Sequence, residues 1–478
     1  MERKDFYLEQ YVEDTQKILM GTRKQTGILD KNYFEFKELC EQVKNHFNDK
    51  VKKDSEDMLE YQKKAILGYQ KQVNYFLELI EEFLKENNKS SVPYPPWYAS
   101  LSEGIFHERW GLAGIHTWFS MESSSSCKIV GKRIYFMVNG KQQLQEQSFS
   151  EERLKQLKKA LILGTPEKRL NEKYHEVYMV DGTRIQIFNA AKEVSIVFRK
   201  YVIDTYTFDQ QARLETIDPL MIPLLESMVE CGFNVAFTGP VRTGKTTFLT
   251  TYQSYEDPTL EGVMVETDPE IPLHIIMPTA PIIQLLADDE ELDKVLKPMM
   301  RSDGDYLIMA EARDGRSLNV AVEITKKGTR RVKMSFHTGN ATNFCFDVAQ
   351  LISKELGGDV WANMIQVAEG FNYVFSFQQL SHDKSKKKLK GIYEIRFDPE
   401  SLLISSHQIC KYNYENNNWE YKYDIGERLE EIGTEESVEA IKKFKEILKK
   451  LSEEKPMQGN HVKISPYSKL MSPMIKGA

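Results

Sequence analysis

The first ninety residues carry apolar side chains at the spacing of a helix. From Ile66 to Phe83 an apolar residue recurs every three or four positions, which places one apolar stripe along a helix. The stripe predicts a helix that packs on its own neighbours, and a coiled-coil contact with a partner is the alternative. Three prolines between residues 86 and 97 then predict a linker.

Residues 98 to 218 combine strand and helix patterns. The clearest signal is Asp181-Gly182, a favoured two-residue turn, between alternating runs that end at Val180 and begin at Thr183. These runs predict a β-hairpin. Further strands are predicted at 132–138 and 194–198, and an amphipathic helix at 151–163.

From residue 219 to 412 apolar strand-like runs alternate with helical stretches, the pattern of a parallel sheet covered by helices. The segment 413–478 predicts one more helix, capped by Thr434, and disorder beyond Lys455. Predicted strands of the sheet lie at 234–237, 262–265, 305–309 and 332–336, with a later antiparallel pair at 373–378 and 391–397.

Composition is typical of a soluble multidomain protein. The 478 residues allow about three domains, and 41% apolar with 28% charged residues exclude global disorder and a polytopic membrane protein. The stretch 271–287 has no Asp, Glu, Lys or Arg, but three prolines interrupt it, so we interpret it as buried strand and loop. The charged amino terminus lacks the apolar core of a signal peptide, so we do not expect export.

The net charge and the cysteine content restrict which partners and which redox compartment we expect for this protein. The net charge of −7 provides no strong positive field for nucleic acid or anionic lipid. The five cysteines include no Cys-x-x-Cys pair. This argues for reduced thiols in the cytoplasm, and against a disulfide scaffold or a cysteine-bound zinc.

A phosphate-binding pattern stands between a predicted strand and a predicted helix. Residues 239–246 read Gly-Pro-Val-Arg-Thr-Gly-Lys-Thr and fit the P-loop G-x-x-x-x-G-K-[ST]. The glycines let the loop curl so that backbone N–H groups point at phosphate oxygens, and the helix adds its positive amino-terminal end. We expect Lys245 to neutralise charge on the β- and γ-phosphates and the Thr246 hydroxyl to bind Mg²⁺. The expected nucleotide-binding residues are Gly239, Pro240, Val241, Arg242, Thr243, Gly244, Lys245, Thr246 and Thr247.

Two predicted strands end in a carboxylate. The run 305–311 ends in Glu311, and the run 262–266 ends in Glu266. Because carboxyl ends of neighbouring parallel strands meet at one edge of a sheet, we expect Glu311 on the Mg²⁺ side, acting through water, and Glu266 as the group that polarises the attacking water. Glu270 is a second carboxylate in reach of the same site. Each acid by itself would also fit an ordinary surface residue at a strand end.

A histidine follows a third predicted strand. His337 comes directly after the run 332–336. A lone histidine is usually structural, but at the end of a core strand that follows a metal-binding acid we expect it to sense the γ-phosphate.

The order of these motifs resembles that of the secretion ATPase superfamily of type II and type IV secretion and pilus assembly. In that family the corresponding segments are the Walker A motif, the Asp box, the Walker B motif and the His box. The resemblance runs from about residue 98 to 412. Here the four segments are the P-loop, Val-Glu-Thr-Asp-Pro-Glu-Ile (265–271), Ile-Met-Ala-Glu-Ala-Arg-Asp-Gly (308–315) and Ser-Phe-His-Thr (335–338).

The mixed α/β region points to one branch of that family. The segments 180–185 and 197–200 resemble those that precede the ATPase core in the Flp/Tad pilus-assembly (CpaF-type) and conjugation-type ATPases. The lack of paired Cys-x-x-Cys also fits that branch. By analogy Arg184 and Arg199 reach the phosphates from the amino-terminal domain, although Arg184 also fits an ordinary solvated arginine on the polar face of a hairpin.

The resemblance implies an α/β fold with a RecA-like P-loop NTPase core, preceded by a mixed α/β amino-terminal domain and a helical amino-terminal extension. It implies a homo-hexamer that uses ATP and Mg²⁺ at the cytoplasmic face of the membrane. The partners would be inner-membrane platform proteins of a pilus or secretion system, with peripheral membrane association and no direct nucleic acid. The expected domains are the helical extension and linker (1–97), the mixed α/β domain (98–218), the RecA-like ATPase domain (219–412) and the helical tail (413–478).

The sequence departs from the family pattern at several positions. The Asp box begins Glu266-Thr267 with its Asp at 268, where Glu-Asp is usual, and Ala310 replaces the glycine before the Walker B acid. Thr338 follows the histidine where alanine is common. Arg301 and Arg313, which flank the Walker B strand, match family arginines or serve salt bridges. The resemblance implies a ring motor in which ATP hydrolysis powers pilus assembly or protein secretion. Two alternatives stay open: the displaced Asp268 and Ala310 would also fit an ATP-binding assembly switch with little turnover, and the resemblance of the core to related ring ATPases would also fit a nucleic-acid translocase.

Overall fold

The computed structural model describes residues 33–468 apart from short gaps, and it divides the chain into two compact units, Met1–Val202 and Ile203–Ala478. The expected domain boundaries after residues 97, 218 and 412 stay predictions. All five cysteines are buried, and none of them forms a disulfide. The residues outside the description are 1–32, 52–54, 123, 165–173, 190, 201–206, 268–270, 288–291, 293, 295–303 and 469–478.

The first unit combines helices with a six-stranded antiparallel sheet in the order β3-β2-β1-β6-β5-β4. The described helices are α1 (Phe34–Val51), α2 (Ser55–Ile66), α3 (Gln70–Glu86), α4 (Leu101–Arg109), α5 (His116–Phe119) and α6 (Glu151–Gly164). The strands are β1 (Ser126–Val130), β2 (Arg133–Val138), β3 (Lys141–Ser148), β4 (Tyr174–Tyr178), β5 (Arg184–Phe188) and β6 (Ser195–Arg199).

The apolar stripe near residue 70 is shared between two helices. Gly68, at φ +94°, separates them, so Ile66 ends α2 and α3 begins at Gln70. Phe76 and Ile80 of α3 are fully buried in a cluster with side chains of α1 and α4. The helix therefore packs on its own neighbours, as the sequence predicts. The predicted linker is also packed, because Trp97 contacts the same cluster.

The predicted hairpin is confirmed. β4 and β5 pair in register with Val177 opposite Ile185, and Gly182 adopts φ +80° in the turn. Asp181 accepts a hydrogen bond from the backbone N–H of Thr183 at 2.9 Å, which is the local bond that favours Asp in such turns.

The second unit is built on a ten-stranded sheet with helices on both faces. Its described helices are α7 (Phe208–Arg213), α8 (Ile222–Glu230), α9 (Lys245–Gln253), α10 (Leu273–Ile276), α11 (Gly315–Lys326), α12 (Phe344–Leu356), α13 (Val360–Gly370), α14 (Glu427–Glu436) and α15 (Val438–Glu454). Its strands are β7 (Val235–Thr238), β8 (Gly262–Glu266), β9 (Ile282–Leu286), β10 (Tyr306–Ala312), β11 (Lys333–Phe336), β12 (Tyr373–Gln379), β13 (Lys387–Asp398), β14 (Leu403–Asn413), β15 (Asn418–Tyr421) and β16 (Val462–Ile464).

The strand order defines the fold class. Six strands run parallel in the order β12-β7-β11-β10-β8-β9, and β13, β14 and β15 extend the sheet with antiparallel pairings. The central parallel strands are buried on both faces, as expected for a sheet covered by helices. β11 lies between the strand before the P-loop and the strand that carries Glu311. This is the RecA-like α/β core that the sequence predicts, preceded by a helical region and a mixed α/β domain.

Three segments of the second unit differ from their predictions. The uncharged stretch 271–287 forms the short helix α10 and the edge strand β9, whose side chains are largely half-buried or exposed. Thr434 lies inside α14, and Ser437 caps α15 instead by accepting a hydrogen bond from the N–H of Ala440 at 3.1 Å. From 456 to 468 the chain continues in an ordered path, because β16 pairs with β14 through backbone bonds that the apolar pattern does not reveal, and residues 469–478 lie outside the description.

Membrane crossing finds no support in the described helices, since none of them is both long and apolar enough to span a bilayer.

β11 begins with a buried ion-pair network. The ammonium of Lys333 donates to Glu256 Oε1 at 2.7 Å, and Arg331 donates to Glu256 Oε2 at 2.5 Å. The side chains of Lys333 and Glu256 are 0% and 1% exposed. The buried carboxylate thus pairs with two cations at the end of β11 opposite to His337, and Arg331 also pairs with Glu436 at 2.6 Å.

We predict that Glu256→Gln lowers the free energy of unfolding by about 3 kcal/mol, because it leaves the buried Lys333 ammonium without a counter-ion. Urea unfolding of the full chain measures the change. The control is Glu323→Gln, which removes the exposed pair with Lys326 and should cost less than about 1 kcal/mol. Equal effects of the two substitutions would contradict the prediction.

Candidate functional site

The loop between β7 and α9 has a backbone that its glycines make possible. Gly239 adopts φ +142° and Gly244 φ +87°. A Cβ on Gly239 would lie 2.4 Å from the carbonyl oxygen of Phe377 on β12, so no larger residue fits there. Arg242 also adopts a positive φ, +65°. The loop therefore curls tightly over the end of β7, with the first turn of α9 behind it.

Lys245 begins α9 and turns back across this loop. Its side chain is buried, and its ammonium donates to the carbonyl oxygen of Pro240 at 3.0 Å. The same nitrogen lies 3.1 Å from Nδ1 of His337, directly after β11. The P-loop lysine and the histidine are thus joined by a hydrogen bond across the end of the sheet.

His337 connects Lys245 to Glu311. Its Nε2 lies 3.1 Å from Oε1 of Glu311. Because an ammonium can only donate, Nδ1 must accept from Lys245, and the hydrogen-bond network therefore assigns the proton to Nε2, which donates to Glu311. A neutral histidine satisfies both partners in this arrangement.

Glu311 is aimed at the histidine by an irregularity in β10. The register between β10 and β11 shifts between Met309 and Ala312, and Glu311 lies within this shift. A bulge of this kind redirects side chains near functional sites. Arg313 donates to the second carboxylate oxygen at 2.5 Å.

The pKa of Glu311 is lowered to about 2. Burial alone would raise the pKa of this carboxyl, but the hydrogen bonds from His337 and Arg313 and the positive charge of Arg313 outweigh burial. The carboxylate therefore stays ionised at neutral pH, which suits a group expected to face a divalent cation.

Glu266 lies further from the P-loop strand than Glu311 does. In the strand order β7-β11-β10-β8, Glu266 ends β8, which is the third strand from β7. Glu311 lies on β10, the second strand from β7, and His337 follows β11, the direct neighbour. Glu266 is buried, and its Oε1 accepts a hydrogen bond from the N–H of Ile271 at 2.9 Å. The carboxylate thus supports its own loop. Glu270, like Asp268 and Arg301, lies outside the described residues.

The two predicted arginines belong to the first unit and lie opposite each other on β5 and β6. Arg184 is buried and forms a two-pronged ion pair with Glu176, through Nη2–Oε2 and Nε–Oε1 distances of 2.9 Å each. The interpretation of Arg184 as a solvated arginine is therefore wrong. Within the described part of the chain Arg199 has no carboxylate within 4 Å. Two cations directly opposite on neighbouring strands repel each other.

The residue after the histidine has a structural partner. Thr338 donates its hydroxyl to Asp347 at the start of α12, at 2.5 Å. Burial raises the pKa of Asp347. Threonine in place of the usual small residue thus ties the histidine loop to α12.

A cleft lies beside the P-loop on the β12 side, and the sequence pattern did not indicate it. It has a volume of about 440 Å³, and its wall is the hairpin between β12 and β13. Pro240 and Thr243 of the loop face Lys384 and Lys390 of the hairpin. The run Lys-Ser-Lys-Lys-Lys-Leu-Lys at 384–390 was the available signal, but nothing local in it points to the P-loop.

Comparison with known proteins matches the same region. Residues 169–397 match the family model described as type II/IV secretion system protein, a range that includes the P-loop, Glu266, Glu311 and His337. An uncharacterized protein of Methanocaldococcus jannaschii is 24% identical over 255 residues, which cover 51% of this chain and 91% of that protein.

Similar solved structures include an ATPase and a pilus retraction motor. The DotB ATPase of Legionella pneumophila is 13% identical with a TM-score of 0.42, and the alignment covers 81% of this chain and 98% of that chain. The pilus retraction motor PilT, solved with bound ADP, is 15% identical with a TM-score of 0.41, covering 56% of this chain and 78% of that chain.

The lowered pKa of Glu311 predicts how stability depends on pH. A folded-state pKa of about 2 against an ordinary 4.5 stabilises the protein above pH 4.5, and this contribution is lost as pH falls toward 2. Glu311→Gln should therefore lower the free energy of unfolding by roughly 2 kcal/mol at pH 7, with a difference that shrinks below pH 4. Urea unfolding across this pH range measures it. Glu415→Gln, on the exposed turn between β14 and β15, is the control, and a pH-independent difference for Glu311→Gln would contradict the prediction.

Proposed function

We propose that this protein is a Mg²⁺-dependent ATPase that powers pilus assembly or protein secretion. The observation that carries the proposal is the hydrogen-bonded chain from Lys245 through His337 to Glu311, because it links the P-loop to an ionised carboxylate two strands away. The match of residues 169–397 to the type II/IV secretion family supports the proposal.

The phosphates of ATP bind in the curled loop. Backbone N–H groups of residues 241–247 and the amino-terminal end of α9 face the phosphate oxygens, whereas Pro240 has no N–H to donate. Lys245 exchanges its present acceptors, the Pro240 carbonyl and His337 Nδ1, for oxygens of the β- and γ-phosphates. The lysine is buried and already directed across the loop, so little side-chain entropy is lost on binding.

Mg²⁺, when bound, offsets the charge of the phosphate chain. The residues that would hold it are Thr246, through its hydroxyl, and Glu311, through water. The donor set fits a hard cation, because both side chains offer oxygen and Glu311 is ionised at neutral pH.

His337 reports the state of the γ-phosphate to Glu311. Once Lys245 moves to the phosphates, Nδ1 of His337 becomes an acceptor at the end of the nucleotide cradle, while Nε2–H stays on Glu311. Nδ1 can then accept a hydrogen bond from the attacking water. Glu266 is the second candidate for polarising this water, and the two roles are separable by substitution.

Arg199 and Arg184 are the two candidate phosphate-binding arginines of this proposal. Arg199 is the stronger candidate, because it faces a like charge and no carboxylate of the described residues lies near it. Arg184 would have to leave Glu176 to reach a phosphate. Either arginine would offset charge that develops during hydrolysis.

The larger assembly follows from the family likeness. We propose a homo-hexamer at the cytoplasmic face of the membrane that acts on inner-membrane platform proteins. A relation to the Flp/Tad or conjugation-type branch is part of this proposal.

We expect Lys245→Ala to lower ATP turnover by roughly 100-fold or more, because the lysine neutralises the phosphates as they react. Steady-state phosphate release by the purified full chain measures the loss. Lys326→Ala, on an exposed face of α11, is the matched control and should leave turnover unchanged.

Glu266→Gln and His337→Asn distinguish the two candidates for the water-polarising group. The water-polarising group is the one whose substitution causes the larger loss in turnover while the affinity for a non-hydrolysable ATP analogue stays unchanged. A wild-type turnover no higher than that of Lys245→Ala would end the motor proposal.

A further inference from the structure

Five lysines lie in or beside the hairpin that forms the wall of the cleft. Two of them share an acidic partner: Lys386 and Lys388 lie 3.4 and 3.2 Å from Glu215 Oε2. Lys387 begins β13 and stands between these two lysines, so its side chain leaves the face opposite to that of Lys388. In the hairpin Lys386 and Lys388 thus pair with Glu215, whereas the Lys387 side chain points away from Glu215.

Lys387 packs against the P-loop. A Cβ built on Gly244 would lie 3.1 Å from Cδ of Lys387. Gly244 is the residue before α9 and belongs to the predicted phosphate cradle. Because the ammonium of Lys387 is only two bonds beyond Cδ, it stays beside this cradle.

Lys387 has no acidic partner in the part of the chain that the structure describes. The pKa of Lys387 is lowered by burial, and no anion raises it again. Lys384 and Lys390 of the adjacent cleft likewise have no ion pair among the described residues. A buried ammonium without a counter-ion costs stability, and this cost is relieved when an anion arrives.

We propose that Lys387 is a second phosphate-binding lysine of the nucleotide site, supplied by the β12–β13 hairpin. The inference rests on the proposed binding of nucleotide to the P-loop. His337 and Glu311 define the γ-phosphate end on the β11 side. Lys387 approaches from the β12 side of the same loop, so it contacts the phosphates nearer to the nucleoside, which ADP and ATP share.

The test is the affinity of Lys387→Met for ADP and for a non-hydrolysable ATP analogue, measured by calorimetry. Loss of a charge-assisted contact should weaken both ligands by about 10-fold or more, and by a similar factor for each. Lys387→Arg keeps the charge and should retain most of the affinity. Lys386→Met, the neighbouring lysine paired with Glu215, is the matched control and should bind both ligands within about 2-fold of wild type.

Thermal unfolding without nucleotide separates this role from a structural one. Lys387→Met should melt at or above the wild-type temperature, because it removes a partly buried charge that has no acidic partner among the described residues. A lower melting temperature would mean that Lys387 stabilises the fold, and this result overturns the inference. Lys387→Gln repeats the comparison with a polar side chain.

Two outcomes distinguish this inference from the proposed function. If Lys387→Met binds both ligands as tightly as wild type while Lys245→Ala binds neither, the proposed role of Lys387 is overturned and the proposed binding of nucleotide to the P-loop stands. If wild type binds no nucleotide at all, both proposals fall.

Discussion

The candidate site depends on a neutral imidazole held between a buried ammonium and an ionised carboxylate. Lys245 can only donate and Glu311 can only accept, so His337 between them must accept at Nδ1 and donate at Nε2. This requirement fixes the tautomer, the ring orientation and the separation of the P-loop from β10. A phosphate that takes Lys245 changes the partners of His337, which would connect nucleotide binding to Glu311 on β10, two strands from β7. The rest of the site is arranged around this chain.

The charges around the P-loop oppose those of the whole protein. The chain carries a net charge of −7, yet Lys245, Lys387 and the cleft lysines gather at one end of β7. Glu311 is the acid at the end of the hydrogen-bonded chain, and its charge is offset by Arg313 while His337 donates a hydrogen bond to it. A local positive field in a cleft concentrates anions regardless of net charge. The acidic composition is therefore compatible with a site for a polyphosphate.

Two ends of one short strand serve different purposes. β11 begins at Lys333 in an ion-pair network with Glu256 and ends just before His337. The network fixes the strand at the end away from the P-loop, where Lys333 and Arg331 both pair with Glu256 and Arg331 also pairs with Glu436. The backbone contact between Gly239 and Phe377 fixes the neighbouring strand on the other side of β7. Both constraints act on backbone position, and a preorganised cradle needs that rigidity.

The sequence by itself determined what is local. Glycines at 239 and 244 encode the curl of the P-loop, Asp181-Gly182 encodes the hairpin, and alternating apolar runs encode the buried strands. The tertiary structure alone decided which strands are neighbours and which side chains meet. It inserted β11 between β7 and β10, so that a histidine rather than an acid lies next to the P-loop. It also buried Arg184 against Glu176 and laid Lys387 on Gly244. Turn and strand preferences come from neighbouring residues, whereas these contacts join segments far apart in the chain, and no local pattern specifies such pairings.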